Sequence, residues 1–265
     1  MPVRALLHLC FAAFASVVLI NVGAQGSANA KSVDIIPQSP LVSVSPSATL
    51  PVDYGMILFP AFQALDVFGP LDALNLISMN YSINLHIISS TLDPVSTKPR
   101  SAMIGNSNFS EAIVPTHNFT HPPPKLDVLF VPGGIGTRAP APELDAHIAF
   151  IRETYPSLQY IVSVCTGSWL LARAGVLDGK NATSNKRAWA GTAGLGNGTN
   201  WITHARWVQD GNIWTSSGIS AGMDATLAWI AAVYGEAEAN NTANIMEYER
   251  ELNASYDPFA DLYGL

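Results

Sequence analysis

The stretch Ile161-Val162-Ser163-Val164-Cys165-Thr166-Gly167-Ser168 constrains the fold more than any other part of the chain. Its β-prone residues run without alternation, the pattern of a strand buried on both faces of a parallel sheet. The strand ends on a cysteine, two small residues follow, and helix-forming residues begin at once and run to Ala174, with Gly175 as the stop. A strand that passes into a helix without a loop holds the junction side chain on a tight turn above the carboxyl edge of the sheet. That is the layout of a nucleophile elbow. The N–H groups at the helix start predict a lowered thiol pKa and a stabilised thiolate. Cysteine is also among the most often buried residues, so inert packing is the competing reading of Cys165.

The surrounding chain repeats the strand and helix alternation. Strands are predicted over 54–59, 81–89, 126–131 and 160–164, and helices over 70–79, 142–155 and 166–174. Such alternation implies a mostly parallel sheet covered on both sides. Residues 91–125 are rich in turn formers, including Pro122-Pro123-Pro124, and read as a hairpin or loop excursion. Asp210-Gly211 joins 205–209 to 212–215 as a hairpin, and Ser220 reads as the cap of a final long helix towards Tyr234, with a further segment beyond Glu236.

The amino terminus reads as a targeting segment. Arg4 precedes an apolar run from Ala5 to Ile20, and small residues follow at Gly23-Ala24 and Ala28-Asn29-Ala30, the layout of a secretory signal peptide over 1–30. The run is shorter than the roughly 20 residues a spanning helix needs. A Pro- and Ser-rich linker occupies 31–51, and one domain fills 52–265. Asn-x-Ser/Thr occurs at Asn80, Asn108, Asn118, Asn181, Asn197, Asn240 and Asn253. About two or three would be expected by chance, so the excess favours a secreted glycoprotein. Signal removal takes Cys10 with it, leaves Cys165 as the one mature thiol, and leaves no membrane association. With 13 basic against 20 acidic residues and a net charge of −7, no cationic face is available for nucleic acid.

Spaced motifs carry a family resemblance. Leu58-Phe59-Pro60, Leu65-Asp66-Val67-Phe68-Gly69-Pro70, Val131-Pro132-Gly133-Gly134 and Ser163-Val164-Cys165-Thr166-Gly167-Ser168 resemble the ThiJ/PfpI superfamily of class I amidotransferase-like proteins, and within it the isocyanide hydratases. Gly175-Val176-Leu177-Asp178-Gly179-Lys180, Asp210-Gly211-Asn212 and Gly218-Ile219-Ser220-Ala221-Gly222-Met223-Asp224 extend the match over about residues 52–250. The resemblance implies an α/β fold, a flavodoxin-like three-layer sandwich, in a homodimer. It makes Cys165 the nucleophile and Asp66 the acid. A carboxylate beside a thiolate can hold a proton through repulsion and burial and so act as general acid or base. Asp66 equally suits a helix cap before Pro70. Thr166 at the helix start and Gly134 at the neighbouring turn suit an oxyanion hole, although Gly134 also reads as a plain turn glycine.

One position departs from the family. Many relatives have a histidine about twenty residues past the cysteine, where this chain has Asn185 after Ala182-Thr183-Ser184. Downstream, His204 reads as a surface or strand residue. The mechanism therefore leans on Cys165 and Asp66. Gly134-Ile135-Gly136-Thr137-Arg138-Ala139 matches a dinucleotide fingerprint, but Pro140 and Pro142 break the helix that a pyrophosphate needs. His117 and His121 lie in a proline-rich loop rather than a metal-binding helix. Trp201, Trp207, Trp214 and Trp229 read as core and sheet-edge aromatics. No cofactor and no metal are expected. The function expected is addition of water to an isocyanide through a cysteine thioimidate. The alternatives are glyoxalase-type hydration of small dicarbonyls and a non-catalytic redox-sensing or binding protein of the same fold.

Overall fold

The computed structural model describes residues 49–99 and 107–265. The predicted signal segment and nearly all of the predicted linker lie outside the described residues. The chain enters through β1 (Asp53–Ile57), α1 (Ala64–Ile77) and β2 (Asn84–Ser89). A hairpin of β3 (Val95–Ser96) and β4 (Ala112–Ile113) follows, then β5 (His117–Asn118), β6 (Val128–Val131), α2 (Asp145–Thr154), β7 (Tyr160–Ser163) and α3 (Gly167–Arg173). Next come β8 (Asn181–Ala182), β9 (Asn200–Trp201), β10 (Trp207–Asp210), β11 (Ile213–Ser216), α4 (Ala221–Tyr234), α5 (Glu236–Ile245) and α6 (Pro258–Leu262).

Among the described residues the main sheet has seven strands in the order β10-β11-β7-β6-β1-β2-β5, parallel except at the β10–β11 hairpin. Helices α1, α4 and α5 pack on one another, as do α2 with α3. The expected α/β sandwich with a mostly parallel sheet is therefore present. Its central strands β6 and β7 are buried along nearly their whole length, which explains their unbroken apolar runs. Trp229 on α4 anchors the core, with its ring edge-on to Tyr54, Phe130 and Tyr160 at 5.7–6.0 Å.

Several boundaries differ from the sequence reading for physical reasons. Helix α1 begins at Ala64, so Pro70 is an interior residue and Asp66 sits in the first turn, not at a cap before the proline. Proline there removes one helical hydrogen bond, a local cost that tertiary packing overrides. Gly69 lies so close to α4 that a Cβ would stand 2.9 Å from Met223 Cγ. The excursion over 91–125 contains the expected hairpin but also β5, which joins the sheet edge beside β2. Nothing in His117-Asn118 signals a strand, because two polar residues show no period. Residues Ile135–Arg138 form a 3-10 turn, so no helix starts at the glycine-rich stretch.

Adjacent parallel strands bring their carboxyl ends together. Val131 pairs with Ser163, so the turn after β6 lies beside the elbow after β7. The chain leaves β1 on one side towards β2 and returns on the other at β6, which opens a crevice at the carboxyl edge of the sheet. The loops after β1, β6, β7 and β11 converge there.

Candidate active site

Backbone strain is concentrated at that edge. Ala61, Cys165 and Ile219 are non-glycine residues with φ of 63°, 60° and 44°, one in each of three loops at the edge. Such conformations cost on the order of 1–3 kcal/mol each and persist where surrounding contacts fix them. At Cys165 the N–H donates to Ser217 O at 3.1 Å, and its carbonyl accepts from Ser168 Oγ at 3.1 Å and Ser184 Oγ at 3.3 Å. A Cβ on Gly167 would lie 2.2 Å from Val131 O, so the turn after Cys165 closes only with glycine.

The elbow carries the thiol into a buried polar cluster. Cys165 is 5% exposed and Asp66 is 1% exposed. Asp66 Oδ2 accepts the Gly133 N–H at 2.9 Å, and the Cys165 thiol lies beside the carboxyl. Asp66 Oδ1 is buried with no partner in the protein. Asn185 Nδ2 donates to Cys165 Sγ at 3.1 Å, and the Thr166 and Ile219 N–H groups also point to the sulfur.

Burial dominates the proton energetics. It pushes the Asp66 carboxyl up to about 7, with the Gly133 N–H and the thiol opposing it. Burial, with the neighbouring Asp66 charge second, pushes the Cys165 thiol up to about 12, against the Thr166, Asn185 and Ile219 donors. Burial thus works against the low thiol pKa expected from the helix start.

Thr166, the residue preceding α3, is brought to the sulfur. Gly134 is not. Its N–H donates to Thr166 Oγ1 at 3.1 Å, and that hydroxyl donates back to Gly134 O at 3.2 Å. The proposed pair of open donors is thus corrected, since Gly134 has no free N–H to offer an oxyanion. Its φ of 131° and the 2.5 Å from a Cβ to Ala61 O give it a packing role between loops. Sequence reasoning missed Asn185 and Ile219 as partners of the sulfur. The available signal was the departure at Asn185 from the histidine that the sequence resemblance led one to expect.

His147 and His204 lie apart from this cluster. His147 is buried against Phe59 and Phe119, hydrogen-bonds Leu58 O at 3.1 Å, and is kept neutral by burial, which lowers its pKa to about 4. His204 is exposed and pairs with Asp261 at 3.1 Å. Among the described residues no cluster of His, Cys, Asp or Glu has the makings of a metal site. A cavity of about 140 Å³ lies against the loops that pack on Gly134, walled by Pro60, Ala61, Ile135 and Leu144, but neither Cys165 nor Asp66 lines it.

Comparison with known proteins adds four findings. Residues 55–232 match the DJ-1/PfpI family. The chain is 32% identical over 197 residues to isonitrile hydratase of Pseudomonas putida, covering 74% of this chain and 77% of that protein. It is 30% identical over 132 residues to the HTH-type transcriptional regulator GbdR of Pseudomonas aeruginosa, covering 49% of this chain and 35% of the regulator. A solved structure of a ThiJ/PfpI protein from Pseudomonas syringae superposes with a TM-score of 0.61 at 32% identity, covering 76% of each chain.

The raised Asp66 pKa has a consequence for stability. The folded carboxyl holds its proton up to about pH 7, whereas the unfolded one releases it near 3.8. Between those values the folded state binds more protons, so this group's contribution to stability falls as pH rises and is least favourable above pH 7. Asp66→Asn is therefore expected to stabilise the protein at pH 8 by on the order of 1–3 kcal/mol, and by little at pH 4. Urea unfolding at the two pH values checks this; equal effects at both contradict it.

Proposed function

The chain belongs to the DJ-1/PfpI family, and from that premise we propose that it adds water to an isocyanide, R–N≡C, to give the N-substituted formamide. The observation that carries this reading is the buried pair of a neutral thiol and a hydrogen-bonded carboxyl with one unpartnered oxygen. The terminal carbon of an isocyanide takes both a nucleophile and a proton at the same atom. A thiol and a proton carrier in contact supply both.

In this mechanism the Cys165 proton passes to Asp66 as Sγ bonds to the terminal carbon. Asp66 then delivers that proton to the same carbon, giving the thioimidate Cys165–S–CH=N–R. Water held at Asp66 adds to the thioimidate carbon and loses a proton to the carboxylate. Asp66 passes that proton to nitrogen, the C–S bond breaks as the new hydroxyl gives its remaining proton through Asp66 to the sulfur, and the formamide leaves. Asn185 Nδ2 and the Thr166 and Ile219 N–H groups stabilise the charge that the sulfur carries as it enters and leaves. Asn185 cannot exchange protons near neutral pH, so proton transfer rests with Asp66.

Similarity to the isonitrile hydratase supports the reading, and similarity to GbdR supports a second one, ligand binding without turnover. Redox sensing by the thiol is disfavoured, because oxidation follows thiolate character and burial suppresses it here. The two remaining readings part at Asp66. Asp66→Asn keeps size and hydrogen bonding but cannot carry a proton, so kcat on an aryl isocyanide is expected to fall by roughly 10² to 10⁴. Wild-type turnover by this variant rejects the mechanism, and no turnover by the wild-type protein favours the binding reading.

We further propose a secreted, glycosylated homodimer. The sequon residues Asn80, Asn108, Asn181, Asn197, Asn240 and Asn253 are exposed and Asn118 is half-buried, so each has access to solvent. Leu65 and Phe68 on α1, with Ile219 before α4, leave apolar surface open for a second copy. Protein recovered from the medium is expected to begin near Gln25 or Lys31, to shift on glycosidase treatment, and to scatter light as a dimer. An unglycosylated cytosolic monomer retaining Met1 contradicts the proposal.

A further inference from the structure

Lys186 follows Asn185 directly, yet its side chain is only 1% exposed. Its Nζ donates to Thr183 Oγ1 at 2.7 Å, Ala205 O at 2.8 Å and Ser184 O at 3.1 Å, and pairs with Asp257 Oδ2 at 3.3 Å. It also stands 5.1 Å from the centre of the Trp189 ring. Burying an ammonium is costly, and an aliphatic side chain fills such space more cheaply. What the ammonium adds is a tie between three separate stretches of chain: 183–184, 205 and 257. Asp257 also caps α6, its Oδ1 accepting the Phe259 N–H at 3.1 Å. The carboxyl-terminal segment is thereby fastened to the strip of chain that carries Asn185.

Asn185 has little freedom of its own. Its Oδ1 accepts the Ala188 N–H at 3.0 Å, which leaves Nδ2 facing the sulfur. A Cβ on Gly218 would lie 2.4 Å from that Nδ2, so the amide is sandwiched against the loop after β11. Ser184, the residue before it, is held by Lys186 at its carbonyl and reaches Cys165 O through its hydroxyl. The amide's position on the sulfur thus depends on backbone that Lys186 holds.

We propose that Lys186 and Asp257 form a clasp that positions the Asn185 amide on the Cys165 sulfur, so that the carboxyl-terminal segment sets the reactivity of a nucleophile it does not touch. Both are positioning residues, and the proposal rests on Cys165 being the nucleophile. The charged group facing Lys186 across the clasp is Asp257, and the one facing Cys165 is Asp66. Burial, opposed by Asp257, lowers the Lys186 pKa to about 8.

The test is alkylation of Cys165 by iodoacetamide at pH 7, which needs no isocyanide and so stands apart from the outcome for hydration. Asp257→Asn keeps the helix cap and removes the charge. Losing the amide from the sulfur raises the thiol pKa by roughly half to one unit, so alkylation is expected to slow about three- to tenfold. In an Asn185→Ala background the same substitution is expected to leave the rate unchanged, because the amide through which the clasp acts is gone. Circular dichroism verifies folding, and Asp257→Ser, also a good cap, carries the comparison if the asparagine variant does not fold. An unchanged or faster rate, or an equal fall in both backgrounds, overturns the proposal.

Discussion

A cysteine at φ 60° cannot hold that conformation by its own preference, so its neighbours must enforce it. The enforcement comes from the chain segments packed around it. Ser217 after β11 accepts the Cys165 N–H, Ser184 and Ser168 donate to its carbonyl, and Gly167 lets α3 begin against Val131. The register of β6 against β7 puts Gly133 beside the elbow, and Gly133 in turn fixes Asp66 through its N–H. The strained turn therefore requires the parallel sheet around it. The sheet, in return, delivers a thiol and a carboxyl from stretches of chain a hundred residues apart into one dry site.

Dryness then decides the chemistry. Removing water from two acids disfavours both anions, and placing them in contact disfavours the doubly ionised state further. A pair in that condition gives up a proton only as another group takes it. Addition of sulfur and hydrogen to one carbon matches that behaviour, because the sulfur never has to exist as a free thiolate in advance. Asn185 fits the same logic, since its amide steadies the sulfur without competing for the proton.

Much of this was legible in the sequence. The elbow, the alternation of strands and helices, and the β10–β11 hairpin followed from apolar runs and turn chemistry. Asp66 was found through its motif, whereas its setting inside α1 was hidden by Pro70, which reads locally as a helix start. The direction of the Gly134 N–H, the contact of Asn185 with the sulfur and the burial of Lys186 depend on how distant loops meet. Lysine is ordinarily a surface residue, so nothing at position 186 marks it as buried. Proximity of the thiol to a helix start is visible in sequence, whereas the loss of solvent that opposes its ionisation is not.

The claim at the centre of this account is that sulfur bonds to the isocyanide carbon during turnover. Its most direct test is rapid acid quench of wild-type protein with excess aryl isocyanide, followed by mass measurement of the intact chain and its peptides. The account predicts a transient adduct on the Cys165 peptide equal to the whole isocyanide mass, because the thiol proton stays with the adduct, and it predicts no adduct in Cys165→Ala. Formamide production by Cys165→Ala at the wild-type rate, with no adduct at any time in the wild-type protein, would contradict it.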